Sequence, residues 1–281
     1  LLFKRARSFN RGEVSTIHPR ALVHPAARLG AGVVVGPDAI VDGDVELGEG
    51  CEIRARAVVT GRTVVGARTQ IGYGAIIGAE PQDLGYRGAA TFTRIGADCV
   101  IREYATIHRG TKEASATEVG NRCYLMAGAH VAHNCRLEDE VILVNNVLLA
   151  GHVEVGFKAF LGGAAVVHQH VRLGAYCMVR GQTRLGQDVP PYCMATATNT
   201  ISGLNRVGLR RAGFDPVRRR RILRAVELLC RSGLNRSQAL ERLEADADFA
   251  HEDTRLLVEF ARGTRRGLCP WREGAGDAED E

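Results

Sequence analysis

Aliphatic residues return every six positions along most of this chain. Stepping by six from Ile17 meets Val23, Leu29, Val35, Val41, Leu47, Ile53, Val59, Val65, Ile71 and Ile77. The phase resumes at Ile95, Ile101 and Ile107, and again from Val119 without a break to Leu185. These 26 hexads lie far beyond chance, and a short fixed period marks a stacked repeat. Three short strands per turn make an eighteen-residue triangular coil, with successive coils about 4.8 Å apart, the ordinary strand spacing. On this reading coils begin at 17, 35, 53, 71, 95, 119, 137, 155 and 173. Each of the two 24-residue intervals is then one coil plus six residues, looped out within 79–94 and 110–118.

Glycine often follows the aliphatic residue, as at Gly30, Gly48 and Gly156, where a corner is expected to need backbone angles that a side chain resists. The fifth hexad position is often small and includes Cys51, Cys99, Cys123, Cys135 and Cys177, which read as buried structural thiols. The repeat stops after Pro190 and Pro191. From 215 to 262 the spacing turns helical, with Ile222, Val226, Leu229, Leu240, Leu243, Leu256, Leu257 and Phe260, interrupted near Gly233 and at a cap signal over Asn235, Arg236 and Ser237. The expected fold is all-β: a parallel β-helix, a triangular prism of hexapeptide repeats, over 14–192, and a small α-helical domain within 193–269 that closes its open carboxyl end. Such hexapeptide prisms are left-handed, an exception to the usual crossover preference. Residues 1–13 read as a basic, poorly ordered segment and 270–281 as a disordered acidic tail.

Composition narrows the function classes. Glycine is frequent, at 33 of 281 residues, and aromatics are scarce, at 5%, as an aliphatic stack requires. No window approaches eighteen apolar residues, so neither a membrane span nor a secretory signal is expected. Cysteines without paired spacing indicate a reducing, cytoplasmic setting. The net charge of +5 combines an acidic end with a basic body that tolerates acidic partners. Nucleic-acid binding lacks aromatic platforms among the basic residues, and neither a phosphate-cradling loop nor a paired-cysteine zinc motif occurs.

Register selects the chemistry. His108 and His168 lie thirteen residues into their coils, His133 fourteen and His152 fifteen, so four histidines on successive coils share one corner. His130 sits on the neighbouring strand. Neutral imidazoles along a reachable edge suit proton abstraction. The loop within 79–94 leaves the repeat with Gln82, Asp83 and Tyr86, and Arg87 and Arg94 add positive charge; it reads as a functional loop or a trimer-packing one. The run Arg218 to Arg221, with Arg206, Arg210 and Arg211, reads as a seat for phosphates or an acidic protein, or as solvated helix charge.

The segments 101–111, 129–133, 149–153, 167–169 and 187–192, together with Gln82-Asp83-Leu84 and Arg231-Ser232-Gly233, resemble the UDP-N-acetylglucosamine O-acyltransferases that open lipid A synthesis. The resemblance implies a cytoplasmic homotrimer with its site between subunits. It implies transfer of an (R)-3-hydroxyacyl group from acyl carrier protein to the 3-hydroxyl of UDP-N-acetylglucosamine, without cofactor, metal or acyl-enzyme. His133 would be the general base and the Gly151 N–H the oxyanion donor. Gln82, Asp83, His108, His130, Asn134, His152 and Gln169 would meet substrate, and His168 would lie near the acyl or pantetheine path. Gly181 would gauge acyl length, Asn205 and Arg211 would face the nucleotide, and the basic helical end would receive the carrier protein. The chain departs from the family pattern at Asn134, where an aspartate is usual, and at Gly85, Arg180, Val207 and Ala212. The other readings are a non-catalytic or altered-acceptor trimer, for instance on a 3-amino sugar nucleotide, and a zinc hydro-lyase using His130, His133 and His152.

Overall fold

All 26 hexads form strands of two to four residues, because the aliphatic position, buried from Val35 onward and partly exposed only in the first coil, can be covered only if the chain turns every six residues. The computed structural model describes residues 14–272, so the expected basic segment 1–13 and all but the first three residues of the expected 270–281 tail lie outside the described residues. Three parallel sheets form the sides of a left-handed prism. The first runs from Thr16–Ile17 and the second from Leu22–Val23, both toward the carboxyl end, and the third carries Arg28–Leu29 through Arg172–Leu173.

The corners differ from the sequence expectation in an instructive way. The left-handed backbone falls not on the glycine after the aliphatic residue but two residues later. Non-glycine residues occupy most of those places, among them Asp38 (φ 57°), Arg56 (φ 61°), Tyr104 (φ 57°) and His152 (φ 61°). Each costs roughly 1–2 kcal/mol in isolation, and the ladders on either side hold it in place. The glycines serve clearance instead: a Cβ on Gly48 would stand 2.6 Å from the Ala67 nitrogen, and one on Gly156 2.6 Å from that of Ala175.

The first insertion is also twice the expected length. Ile71 pairs with Ile101, 30 residues on, whereas Ile101 pairs with Leu125, 24 residues on. The loop after Ile76–Ala79 therefore adds twelve residues and the loop before Ala116–Val119 adds six. Ile95 consequently begins the third side of its coil rather than a new coil.

The fifth-position cysteines are buried, and the thiols of Cys51, Cys99, Cys123 and Cys135 donate to carbonyls of the next coil, Cys51 to Gly66 (3.1 Å) and Cys135 to Ala150 (3.1 Å) among them. Burial pushes Cys135 and Cys177 up to about 12, so both stay protonated. The outward rows differ by side. On the third sheet Arg94, Glu118, Arg136, Glu154 and Arg172 stand opposite one another in alternating sign. The second sheet presents Leu22, Ile76, Leu148 and Val166, each between 38% and 66% exposed.

Past Pro191 the first sheet continues, which periodicity did not reveal: Cys193–Thr196 adds a parallel strand and Thr200–Leu204 returns antiparallel to it. Four helices follow, α1 (Arg206–Arg211), α2 (Pro216–Cys230), α3 (Arg236–Ala245) and α4 (Glu252–Arg262). Asn235 caps α3 in a reciprocal box with Gln238. The helices lock onto the end of the prism: Tyr192 donates to Asp253 (3.1 Å), and buried Asp188 accepts from Thr264 (2.5 Å) and from the Arg172 N–H (2.8 Å). Chain order persists beyond the expected boundary at 270, because Ile201 bonds to Pro270 and Arg272 bonds back to Ile201.

Candidate active site

The corner after the second sheet gathers the histidines because residues one coil apart stack there, eighteen positions along the chain or twenty-four across the second insertion. His108 is buried, with Nδ1 2.5 Å from the Glu80 carbonyl. A carbonyl only accepts, so Nδ1 carries the proton and Nε2 is left bare. His130 lies edge-on to it, with centroids 5.2 Å apart, and meets Thr106 Oγ1 at 2.7 Å. Burial, then the neighbouring His108 and His133, push His130 down to about 4; His108 is lowered mainly by burial.

One coil on, His133 is half-buried, with Nδ1 3.1 Å from Asn134 Oδ1 and its ring edge-on to His152 at 5.3 Å. The ring rests over Gly151, where a Cβ would collide with Cε1 and stand 2.6 Å from Nε2. Gly151 is buried, its carbonyl accepts from the His170 N–H (3.1 Å), and its own N–H has no partner among the described residues. At this point of the turn the N–H lies outside the coil-to-coil ladder, so an unpaired donor sits beside an imidazole.

Both inserted loops lean toward this corner. Arg109 donates to the Gly78 carbonyl (3.0 Å), Glu80 (3.0 Å) and Tyr86 Oη (3.3 Å), anchoring the loop that carries Gln82 and Asp83. Gln82 and Asp83 are exposed, and Asp83 Oδ1 accepts from the Gly85 N–H (2.7 Å). The His152 pKa is lowered by burial first, then by His170, His133 and Lys112, against an opposing pull from Asp83. The charges of both loops therefore reach the imidazole row.

The structure joins His108, His130, His133, Asn134, Gly151 and His152. His168 and Gln169 are exposed on the next coil, where His168 Nδ1 faces the Gln169 carbonyl (3.3 Å) and makes no ring contact with the others. The row instead continues through His170, stacked on His152 at 4.6 Å and 18°. Sequence reading passed over His170, although it shares the register of His152 eighteen residues on.

Gly181 lies on a different corner, over Gly163. Asn205 is 7% exposed and caps α1: Oδ1 accepts from the Gly208 N–H (3.0 Å) and Nδ2 donates to the Tyr176 carbonyl (2.9 Å). Arg211 is exposed in the last turn of α1. The arginine run divides: Arg218 grips Asp253 with two bonds of 2.8 Å and lies 3.7 Å over Phe214, and Arg221 donates to His251 (3.1 Å). Those two act inside the helical domain, while Arg206, Arg210 and Arg211 face outward. Among the described residues no group of three or more His, Cys, Asp or Glu is placed to hold a metal ion, and no helix is long and apolar enough to cross a membrane.

The His130 environment predicts an acid-sensitive fold. Between the ordinary histidine value of 6.5 and about 4 the unfolded chain binds a proton that the folded chain refuses, so stability falls as pH drops through that window. After discounting for partial exposure the loss is on the order of 1 kcal/mol. In urea melts across this pH window, His130→Gln should lose less stability than the unaltered protein; equal losses would refute the assignment.

A family profile described as "Udp N-acetylglucosamine O-acyltransferase; Domain 2" matches residues 188–269, and a six-repeat bacterial transferase hexapeptide profile matches 26–61. The acyl-[acyl-carrier-protein]–UDP-N-acetylglucosamine O-acyltransferase of Gloeothece citriformis is 44% identical over 210 residues, 71% of this chain and 74% of the relative. That of Synechocystis is 42% identical over 206 residues, again 71% and 74%. Among solved structures, the UDP-N-acetylglucosamine acyltransferase of Campylobacter jejuni superposes with a TM-score of 0.86 at 35% identity, over 92% of this chain and 100% of the other. The Francisella novicida enzyme gives 0.87 at 32% identity, over 95% and 100%.

Proposed function

The chain belongs to the UDP-N-acetylglucosamine O-acyltransferase family, and from that premise we propose that it moves an (R)-3-hydroxyacyl group from acyl carrier protein to the 3-hydroxyl of UDP-N-acetylglucosamine, the opening step of lipid A biosynthesis. The observation that carries the reading is the seating of the His133 imidazole on Gly151, with its far nitrogen held by Asn134. An alcohol is a weak nucleophile and a thioester carbonyl needs its developing negative charge met, so base and oxyanion donor belong side by side.

In the proposed reaction His133 Nε2 takes the proton of the sugar hydroxyl as the oxygen attacks the thioester carbon. The carbonyl π pair moves onto oxygen, where the Gly151 N–H receives it. The tetrahedral intermediate then collapses, the C–S bond breaks, and the imidazolium returns the proton to the departing sulfur. Cys135, the nearby thiol, is buried and held protonated at about 12, which supports direct transfer without an acyl-enzyme.

The two unlike outer faces support a homotrimer: the apolar row of the second sheet suits a neighbouring prism, and the charged ladder of the third suits water. In such an assembly Gly181, Asn205, Arg211, His168 and Gln169 would complete the site across the subunit boundary, and the outward arginines of α1 would receive the acidic carrier protein in the cytoplasm.

The test is mass spectrometry of UDP-N-acetylglucosamine incubated with the purified protein and a series of 3-hydroxyacyl carrier proteins. A gain of one hydroxyacyl group with at least one chain length is expected. No acylated sugar nucleotide with any chain length would overturn the assignment.

A further inference from the structure

Asn134 carries an amide whose two ends are alike in size and opposite in hydrogen-bonding sense, so something must decide which end faces His133. The decision falls to Thr111. Its backbone N–H, which can only donate, lies 3.1 Å from Asn134 Oδ1, and its hydroxyl lies 2.9 Å from the same oxygen. Turning the amide over would set an NH₂ group against a backbone N–H, donor against donor. Asn134 itself cannot swing away: its N–H donates to the fully buried Thr117 hydroxyl (2.7 Å), and its backbone occupies the left-handed corner position at φ 59°.

The consequence is a defined tautomer. His133 Nδ1, 3.1 Å from that same oxygen, meets only an acceptor and must carry the proton, which leaves the Nε2 lone pair over Gly151. With the amide reversed, Nδ1 would have to accept, the proton would sit on Nε2, and no base would remain on the side where it is needed. We propose that Thr111 is a positioning residue that sets the His133 tautomer through the Asn134 amide, an inference that rests on His133 being the base. A carboxylate in place of Asn134 would need no such help, because both of its oxygens accept. An amide does, and the six-residue insertion that carries Thr111 supplies it.

Two readouts test this, and the first is independent of turnover. Imidazole ¹⁵N spectra, assigned by comparison with His133→Gln, should show His133 with Nδ1 protonated and Nε2 bare at neutral pH; the opposite tautomer would overturn the proposal even if the protein is fully active. The second is kinetic. Thr111→Val removes the hydroxyl and keeps the N–H, so kcat should fall about fivefold, the share of one neutral hydrogen bond, with KM unchanged. Thr111→Ser should restore it. In an Asn134→Asp background Thr111→Val should cost less than twofold. An equal loss in both backgrounds would mean that Thr111 merely supports the loop, and no loss in either would mean that it positions nothing; both results refute the proposal. Absence of activity in every variant, the unaltered protein included, would instead count against the proposed reaction, and the spectra would still decide the tautomer.

Discussion

Replacing His133 with alanine is expected to lower kcat for acyl transfer by roughly 10³-fold, within the 10² to 10⁴ that a positioned general base contributes. The fold should survive, because His133 serves the coil stack through its backbone: its carbonyl accepts from the His152 N–H at 3.0 Å, a bond that alanine keeps. The imidazole is half-exposed at a corner and fills no part of the aliphatic core. Thermal melting should therefore move by a few degrees at most while product formation nearly vanishes. Retention of more than a tenth of normal kcat would remove His133 from the base role and direct attention to His108, whose bare Nε2 offers another acceptor of protons on the same corner.

The second large effect is expected from Gly151→Ala, and the reason is steric. Gly151 does not use a left-handed backbone, so alanine is locally acceptable there. What alanine cannot share is the space of the His133 ring, since the new methyl would overlap Cε1 and come within 2.6 Å of Nε2. The N–H donor would remain while the imidazole is pushed off its seat, and a loss of about 10² in kcat should follow from misplacing the base. Gly163→Ala is the matched control, because a Cβ there comes no closer than 3.4 Å to the Asn145 carbonyl oxygen. Its activity should stay near normal; if both variants lose activity alike, corner glycines matter for coil stacking and not for seating His133.

Much of the architecture was legible along the chain. A buried inward position every sixth residue allows one economical solution, a short strand and a turn, repeated. That is why every hexad from Ile17 to Leu185 forms a strand, and why the small fifth-position residues, cysteines included, lie inside. The helices from α2 onward were also readable, from their 3.6-residue spacing and the cap signal at Asn235, whereas the Gln238 side of that cap and helix α1 were seen only in the structure. The hairpin 193–204 and the pairing of Pro270 and Arg272 with Ile201 were not, because they carry no period and are specified by what they pack against.

The site divides in the same way. Counting register put His108, His133, His152 and His168 on one corner; His168 makes no ring contact with the others, and the same count contained His170, whose stacking on His152 became evident only in three dimensions. The length of the first insertion was misjudged because a loop leaves no trace in a hexad count once the phase resumes; the pairing of Ile71 with Ile101 settles it.

By itself, then, the sequence determined the period, the inward face, the number of coiled strands and the corner on which the histidines fall, because these follow from burying a local pattern. Tertiary structure alone decided which residues meet across coils: the His133 ring on Gly151, the Asn134 amide under Thr111, Asn205 as a cap and Arg218 as an internal tie. Those contacts join residues far apart in the chain, and their geometry depends on loop lengths and on backbone donors whose direction only the stacked coils define.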